Sequence, residues 1–151
     1  MNTPYYSQQQ HDTQGSGANA GFTLIEMLVT LVILSILTIA AYPSYVAWIV
    51  KAHRSDAMAT LTQDQTLLER CYAQSFTYVG CTSLPAFPQT STQGFYSIAL
   101  SNLTATTYTL TATPIGSQAR DERCASMSID QSGQRTAANS AAVAQTECWN
   151  P

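Results

Sequence analysis

The sequence has little charge. Only 10% of its 151 residues are Asp, Glu, Lys or Arg, well under the roughly 25% usual for globular domains. Residues 1–21 contain no Lys or Arg, so the chain lacks the basic start of an ordinary secretory signal peptide. The formal net charge of −3 excludes a general attraction to polyanions. Nucleic acid or anionic lipid would therefore have to be recognised by a local patch.

Residues that commonly carry catalysis or bind metals are scarce. There are two histidines, His11 and His53, no C-x-x-C pair and no glycine-rich phosphate loop. This pattern disfavours a zinc site and nucleotide chemistry. Asp121, Glu122 and Asp130 could offer oxygen ligands to calcium, but they follow no recognised loop spacing, and a solvated turn is the preferred interpretation. We expect no enzyme activity, no cofactor and no metal.

One long apolar run lies near the amino terminus. Residues 27–50 are twenty-four positions without a formal charge, between Glu26 and Lys51. A helix needs about 20 such residues to cross a bilayer. Aromatic residues suited to the membrane surface gather toward the basic end: Tyr42, Tyr45 and Trp48. No later segment approaches this length, so the sequence predicts a single-pass membrane protein.

The residues at the start of this run form a specific motif. Gly21-Phe22-Thr23-Leu24-Ile25-Glu26-Met27-Leu28 resembles the type III signal of type IV pilins and pseudopilins. The resemblance implies that a prepilin peptidase cuts between Gly21 and Phe22 and that Phe22 becomes N-methylated. It also implies three regions: a leader at 1–21, a transmembrane and filament-core helix at 22–50, and a periplasmic or extracellular pilin head at 51–151.

Glu26 stands out for a physical reason as well. An ionised carboxylate at the start of a membrane helix is costly unless it is paired, and Glu26 has no basic partner nearby in sequence. Cleavage after Gly21 would create a free α-amine four residues away. In an array of parallel helices, the amine of one subunit could meet the carboxylate of its neighbour and set their register. We therefore expect Glu26 to act in assembly.

The helical pattern continues beyond the apolar run. Pro43 removes one backbone hydrogen bond and predicts a kink. We predict one helix from Phe22 to about Cys71, roughly 75 Å long at 1.5 Å per residue. Its second half should pack an apolar stripe on a sheet: Ala57, Met58, Leu61, Leu68, Cys71 and Tyr72. Its charged residues are expected to point mostly elsewhere: Asp56, Asp64, Glu69 and Arg70.

After the helix, the sequence changes to turn and strand patterns. Gly and Pro punctuate a predicted loop from Tyr72 to Gln93. Three strands are predicted from alternation, at 95–100, 107–113 and 125–130, with the first two joined by Ser101–Thr104. The predicted fold class is α+β, with a long amino-terminal helix packed on an antiparallel meander. This arrangement is also the pilin fold that the resemblance implies.

All four cysteines follow the membrane segment: Cys71, Cys81, Cys124 and Cys148. An even number in a small domain outside the cytoplasm favours disulfides. Three connectivities are possible, and we prefer Cys71 with Cys81 and Cys124 with Cys148, because each closes a loop within one region. The second loop also resembles the carboxy-terminal disulfide region of pilins.

The leading functional prediction is a structural subunit of a bacterial type IV pilus, most like a PilE-type minor pilin that serves biogenesis, adhesion or twitching motility. The implied partners are other pilins, the prepilin peptidase and an inner-membrane assembly platform, and the implied locations are the inner membrane and then the extracellular pilus. One alternative is a DNA-uptake pilin that uses Arg120, Arg123 and Arg135, although neighbouring acids favour ordinary surface ion pairs. Another alternative is a pseudopilin of a type II secretion system.

Overall fold

The computed structural model describes residues 21–150. The predicted leader, residues 1–21, lies outside the described residues except for Gly21. The chain divides into two compact units between Ala40 and Ala41. The second unit, called the head below, therefore includes the ten residues before Lys51, where the head was predicted to begin.

The first unit is the apolar beginning of helix α1, which spans Leu24–Ser75. An 18-residue window of α1 has a mean hydropathy of 2.5 and none of it is buried, so the helix is long and apolar enough to cross a membrane. Its start is set locally, because the Thr23 hydroxyl accepts a hydrogen bond from the backbone N–H of Glu26 at 3.2 Å.

The head combines the remainder of α1 with one five-stranded antiparallel sheet. The strands are β1 (Gln89–Thr90), β2 (Tyr96–Ser101), β3 (Thr109–Pro114), β4 (Ser126–Asp130) and β5 (Arg135–Ala138). They lie in chain order, as a meander. Three short 3₁₀ helices complete it: η1 (Gly116–Arg120), η2 (Glu122–Cys124) and η3 (Thr146–Trp149).

The core forms where inward side chains of the sheet meet one face of α1. Strand register aligns Ile98, Ala112, Met127 and Ala137 in one row, and Leu100, Leu110 and Ile129 in the next. Because successive strand residues point to opposite faces, each row presents one apolar surface. The buried residues of α1 in this core are Ala57, Leu61 and Leu68, so the predicted packing of the stripe on the sheet is found.

Several element bounds differ from the prediction. Helix α1 ends at Ser75 instead of about Cys71, and β3 begins at Thr109 instead of Thr107. Strand β1 lies inside the predicted loop, and β5 was also missed. Both are short and bury little: β1 has two residues, and Ala137 is the one buried residue of β5. Alternation cannot mark a strand that buries so little.

The expectation that Asp56 and Asp64 point away from the core is wrong. Both are 2% exposed. The Asp56 carboxylate accepts hydrogen bonds from the Ser91 hydroxyl at 2.5 Å and the Gln93 backbone N–H at 3.0 Å. The Gln89 amide donates to Asp64 at 2.6 Å. Partners on the facing segment make these buried carboxylates tolerable, and helix periodicity alone cannot reveal them.

Near the end of α1, Glu69 joins two tyrosines. Its carboxylate accepts hydrogen bonds from the Tyr108 hydroxyl at 2.8 Å and the Tyr78 hydroxyl at 3.1 Å. Burial and the neighbouring Glu69 raise the pKa of Tyr78 to about 12. Burial and the hydrogen bond that Tyr108 donates to Glu69 raise the pKa of Tyr108 further. Glu69 is thus half-buried and partnered, whereas Arg70 is exposed as expected.

Candidate functional site

The predicted processing residues stand at the beginning of α1. Gly21 and Phe22 precede its first turn, and the Phe22 side chain is exposed. Thr23 and Glu26 have the spacing of a capping box, a helix-start signal that the motif itself carries. Glu26 is exposed and has no ion pair among the described residues 21–150.

Two disulfides organise the loops of the head. The structure pairs Cys71 with Cys81 and Cys124 with Cys148, which is the pairing that the sequence analysis preferred. The first closes the loop that follows α1. The second joins η2 to η3 and so fixes the carboxy-terminal end of the described chain beside the β3–β4 connection.

The three predicted arginines are exposed around this second disulfide. Arg120 ends η1 and Arg123 lies in η2, and both line the same cleft. The Arg135 guanidinium lies 5.2 Å from the ring centroid of Trp149, at cation–π distance. Trp149 directly follows Cys148 and is held by a hydrogen bond from its indole N–H to the Thr136 carbonyl at 2.8 Å.

The acids next to these arginines in sequence are not their ion-pair partners. Asp121 lies between Arg120 and Arg123 in sequence but is buried, where Arg54 of α1 donates two hydrogen bonds to it, at 2.8 and 2.9 Å. Asp130 instead accepts hydrogen bonds from its own turn, from Ser132 and Gln134. The expected surface pairing with Asp121 and Asp130 is therefore wrong. Because Asp121 turns inward, the flanking arginines are left on the surface.

Gln118 anchors η1 to the helix. Its amide nitrogen donates to the Val50 carbonyl at 2.8 Å and the Tyr96 hydroxyl at 3.0 Å. Its amide oxygen pairs with Nδ1 of His53 at 3.0 Å, and the His53 ring stacks on Phe95 at 3.6 Å. Polar Gln118 carried no sequence signal for burial, yet with the Arg54–Asp121 pair it holds the segment that bears Arg120 and Arg123.

Burial changes the charge balance of the head surface. The head carries six basic and seven acidic side chains. One base and three acids among them are buried: Arg54, Asp56, Asp64 and Asp121. Five cations and four carboxylates therefore remain outside the core. Burial also raises the pKa of Asp64, against the smaller opposite effect of its hydrogen bond from Gln89. The surface is thus more basic than the composition suggests.

A cleft lies beside η1 and η2. Its volume is about 920 Å³. Its apolar side comes from α1, including Val46 and Val50, and its polar side includes Lys51, Arg120 and Arg123. Glu122 and Glu147 also line it, and Glu147 lies 3.4 Å from the Arg123 guanidinium as an exposed ion pair. Such exposed pairs contribute little, so Arg123 can exchange this partner for another anion.

The residues considered for calcium do not form one site. Asp121 is committed to Arg54 and Asp130 to its own turn, while Glu122 lies on the cleft. Within residues 21–150, no group of three or more His, Cys, Asp or Glu side chains could hold a metal ion. Asp121 and Asp130 instead stabilise the fold through their hydrogen bonds, and Glu122 lines the cleft.

The chain is similar to a known amino-terminal motif and to two solved structures. The model of the prokaryotic N-terminal methylation motif matches residues 17–42. A type IV pilin structure from Shewanella oneidensis is 26% identical, with a TM-score of 0.49, covering 68% of this chain and 99% of the other. The non-core minor pilin PilV of Neisseria meningitidis is 21% identical, with a TM-score of 0.50, covering 60% and 88%. The likeness to PilV shows the fold that the two chains share.

A second family model is more specific. It describes the type IV minor pilin ComP, DNA uptake sequence receptor, and matches residues 43–128. The chain belongs to this family of minor pilins. No curated protein sequence matches the chain. As a type IV minor pilin, it is a structural subunit, anchored in the inner membrane by its apolar helix before assembly into the extracellular pilus.

Proposed function

We propose that this minor pilin is a receptor for double-stranded DNA, displayed on the pilus for DNA uptake, with Arg120, Arg123 and Arg135 as DNA contacts. The observation that carries the proposal is the exposure of these arginines around the Cys124–Cys148 disulfide, combined with the burial of the intervening Asp121. The family description, which names a DNA uptake sequence receptor, supports it.

The chemistry of the three arginines suits DNA. A guanidinium can bind phosphate, and it can donate two parallel hydrogen bonds to the major-groove edge of guanine. Arg135 lies over Trp149, and Arg120 is held by a hydrogen bond to the Ser117 carbonyl at 2.7 Å. Two of the three side chains are therefore partly oriented before DNA arrives, which lowers the entropy lost on binding.

The DNA proposal predicts a particular dependence on salt. If all three arginines contact phosphate, the logarithm of affinity should fall against the logarithm of salt concentration with a slope of about −2.7. Each Arg→Gln change at 120, 123 or 135 should reduce the magnitude of that slope by about 1 if the residue contacts phosphate. A residue that reads a base should instead change the preference between sequences.

The test is fluorescence anisotropy of labelled duplexes, from the native host's genome and of scrambled sequence, titrated with the full chain in detergent. Arg70→Gln is the matched control, because Arg70 is exposed on α1, away from the three arginines in the chain. We expect weaker binding in each of the three variants and unchanged binding in the control. Absence of binding at low salt, or equal losses in the control, would overturn the proposal.

We further propose how the subunit is processed and assembled. Residues 1–21 act as the leader, 22–50 as the membrane and filament-core helix, and 51–151 as the displayed head. Cleavage between Gly21 and Phe22 gives N-methylated Phe22, and Glu26 meets the amino terminus of a neighbouring subunit. The partners are the prepilin peptidase, other pilins and the inner-membrane assembly platform. The chain itself has no enzymatic role.

A further inference from the structure

We propose that, while the chain is anchored in the membrane, the cleft beside η1 and η2 binds the headgroup of an anionic phospholipid. This inference rests on the membrane anchor and on the cleft, and it does not require DNA binding. Its ligand is a lipid phosphate, held by Lys51, Arg120 and Arg123 against an apolar wall supplied by α1.

The cleft includes the part of α1 that follows the length needed to cross the bilayer core. A bilayer core about 30 Å thick takes about 20 helical residues, and counting from Phe22 places its far edge near Ala41. The next residues include three aromatic side chains that are 60–66% exposed: Tyr42, Tyr45 and Trp48. Exposed Tyr and Trp favour the headgroup layer. Tyr42, Pro43 and Val46 line the cleft, so its wall begins at the level of the headgroups.

The lining of the cleft combines apolar and basic side chains. Val46, Ala47 and Val50 continue an apolar helix surface that suits the glycerol part of a lipid headgroup. Lys51 follows them along α1, and Arg120 and Arg123 line the same cleft as further cations for the phosphate. Ordering of apolar residues first and cations next along one surface is the pattern expected for an interfacial lipid site.

The charges on the lining of the cleft favour an anionic lipid. Three exposed cations line the cleft with two exposed carboxylates, Glu122 and Glu147, while the buried Arg54 and Asp121 neutralise each other. One net positive charge remains. At roughly fivefold per cation near an anionic surface, the cleft should favour an anionic over a zwitterionic lipid by about fivefold.

The site has a consequence for the proposed DNA receptor. Arg120 and Arg123 cannot bind a lipid phosphate and a DNA phosphate at once. Lipid would therefore occupy these two arginines in the anchored subunit, and removal of the subunit from the membrane into the pilus would free them. This consequence rests on the proposed function, whereas the lipid site itself does not.

The test is native mass spectrometry of the full chain released from detergent micelles that contain equal amounts of dioleoyl phosphatidylglycerol and dioleoyl phosphatidylcholine. We expect about five phosphatidylglycerol adducts for each phosphatidylcholine adduct. The double variant Arg120→Gln/Arg123→Gln leaves Lys51 against Glu122 and Glu147, so the preference should be lost and the ratio should fall to about 1 or below. Arg120→Lys/Arg123→Lys should keep the preference. The control Arg70→Gln, outside the cleft, should behave as the unmodified chain.

Each contrary outcome is decisive. Equal retention of the two lipids, or the same preference after loss of both arginines, overturns the lipid site. If Arg70→Gln also loses the lipid preference, the preference comes from the overall charge of the chain. If excess inorganic phosphate displaces the bound lipid, the cleft is a site for free phosphate. Either result overturns the inference. Anisotropy with labelled DNA separates the two proposals. If the unmodified chain prefers the anionic lipid but does not bind DNA, the receptor proposal alone is refuted. If it binds DNA but shows no lipid preference, the lipid site alone is refuted.

Discussion

The buried ion pair of the head gives the sharpest test of the physical account. Arg54 and Asp121 are 8% and 2% exposed and join α1 to the β3–β4 connection by two hydrogen bonds. Replacing Arg54 by Met keeps much of the apolar stem but leaves the Asp121 charge buried without its cation. Removing one partner of a buried pair costs about 3–5 kcal/mol.

The lower end of that range is expected here. Asp121 keeps two weaker donors, the Cys124 backbone N–H and the Gln118 amide, both at 3.3 Å. We therefore predict that Arg54→Met lowers the free energy of unfolding by about 3 kcal/mol, and the melting temperature by roughly 10–15 °C. Arg70→Met, an exposed position on the same helix, should change the free energy by less than about 0.5 kcal/mol.

The assay is urea unfolding of the full chain in detergent, followed by circular dichroism with both disulfides intact. The double variant Arg54→Met/Asp121→Asn should recover at least about 1 kcal/mol of the loss, because Asn removes the unpaired charge and still accepts from Cys124. A loss below about 1 kcal/mol in Arg54→Met, or a double variant less stable than the single one, would refute the reasoning.

Four further predictions each concern a single feature of the chain. Glu26→Gln should leave the chain in the membrane but reduce its incorporation into sheared pili, as measured by immunoblot; normal incorporation would exclude a role in assembly. Burial raises the pKa of Asp64, so its charge opposes folding at neutral pH, and Asp64→Asn should leave the free energy of unfolding at pH 7 equal or higher. The free energy of unfolding of the unmodified chain should gain a contribution from protonation of Asp64 as the pH falls to about 3.8, and the variant should lack this gain. Hydrogen bonds within its own turn lower the pKa of Asp130, so Asp130→Asn should reduce the free energy of unfolding at pH 7, and this loss should disappear below pH 3.8. Urea titrations at several pH values measure both effects. The same pH dependence of the change in free energy for Asp64→Asn and Asp130→Asn would contradict this account. Replacing Cys124 and Cys148 together by Ser should cost about 3 kcal/mol in the same unfolding assay, and an unchanged midpoint would show that the 24-residue separation closed by this disulfide does not constrain the unfolded chain.

Much of the fold was accessible from the sequence because it follows local patterns. The apolar run predicted α1, and the alternation of Tyr108, Leu110 and Ala112 predicted the buried face at β3. Strands β1 and β5 could not be predicted from the sequence. A short polar strand such as Gln89–Thr90 is specified by its neighbour β2 and carries no pattern of its own.

The candidate site was only partly accessible for a similar reason. Arg120, Arg123 and Arg135 could be selected from the sequence, but their acidic neighbours suggested surface ion pairs. The inward orientation of Asp121 depends on Arg54, which is 67 residues away in the chain. Contacts over such separations have no signature in one sequence. The cleft is likewise built from segments that only folding brings together.

The central claim, that this chain is a processed subunit of a type IV pilus, is tested most directly by intact mass analysis of pili sheared from the native host. The account predicts a chain that begins at N-methylated Phe22 and lies four hydrogens below its reduced mass, two for each disulfide. A chain that retains residues 1–21 and is absent from the sheared fraction would contradict it.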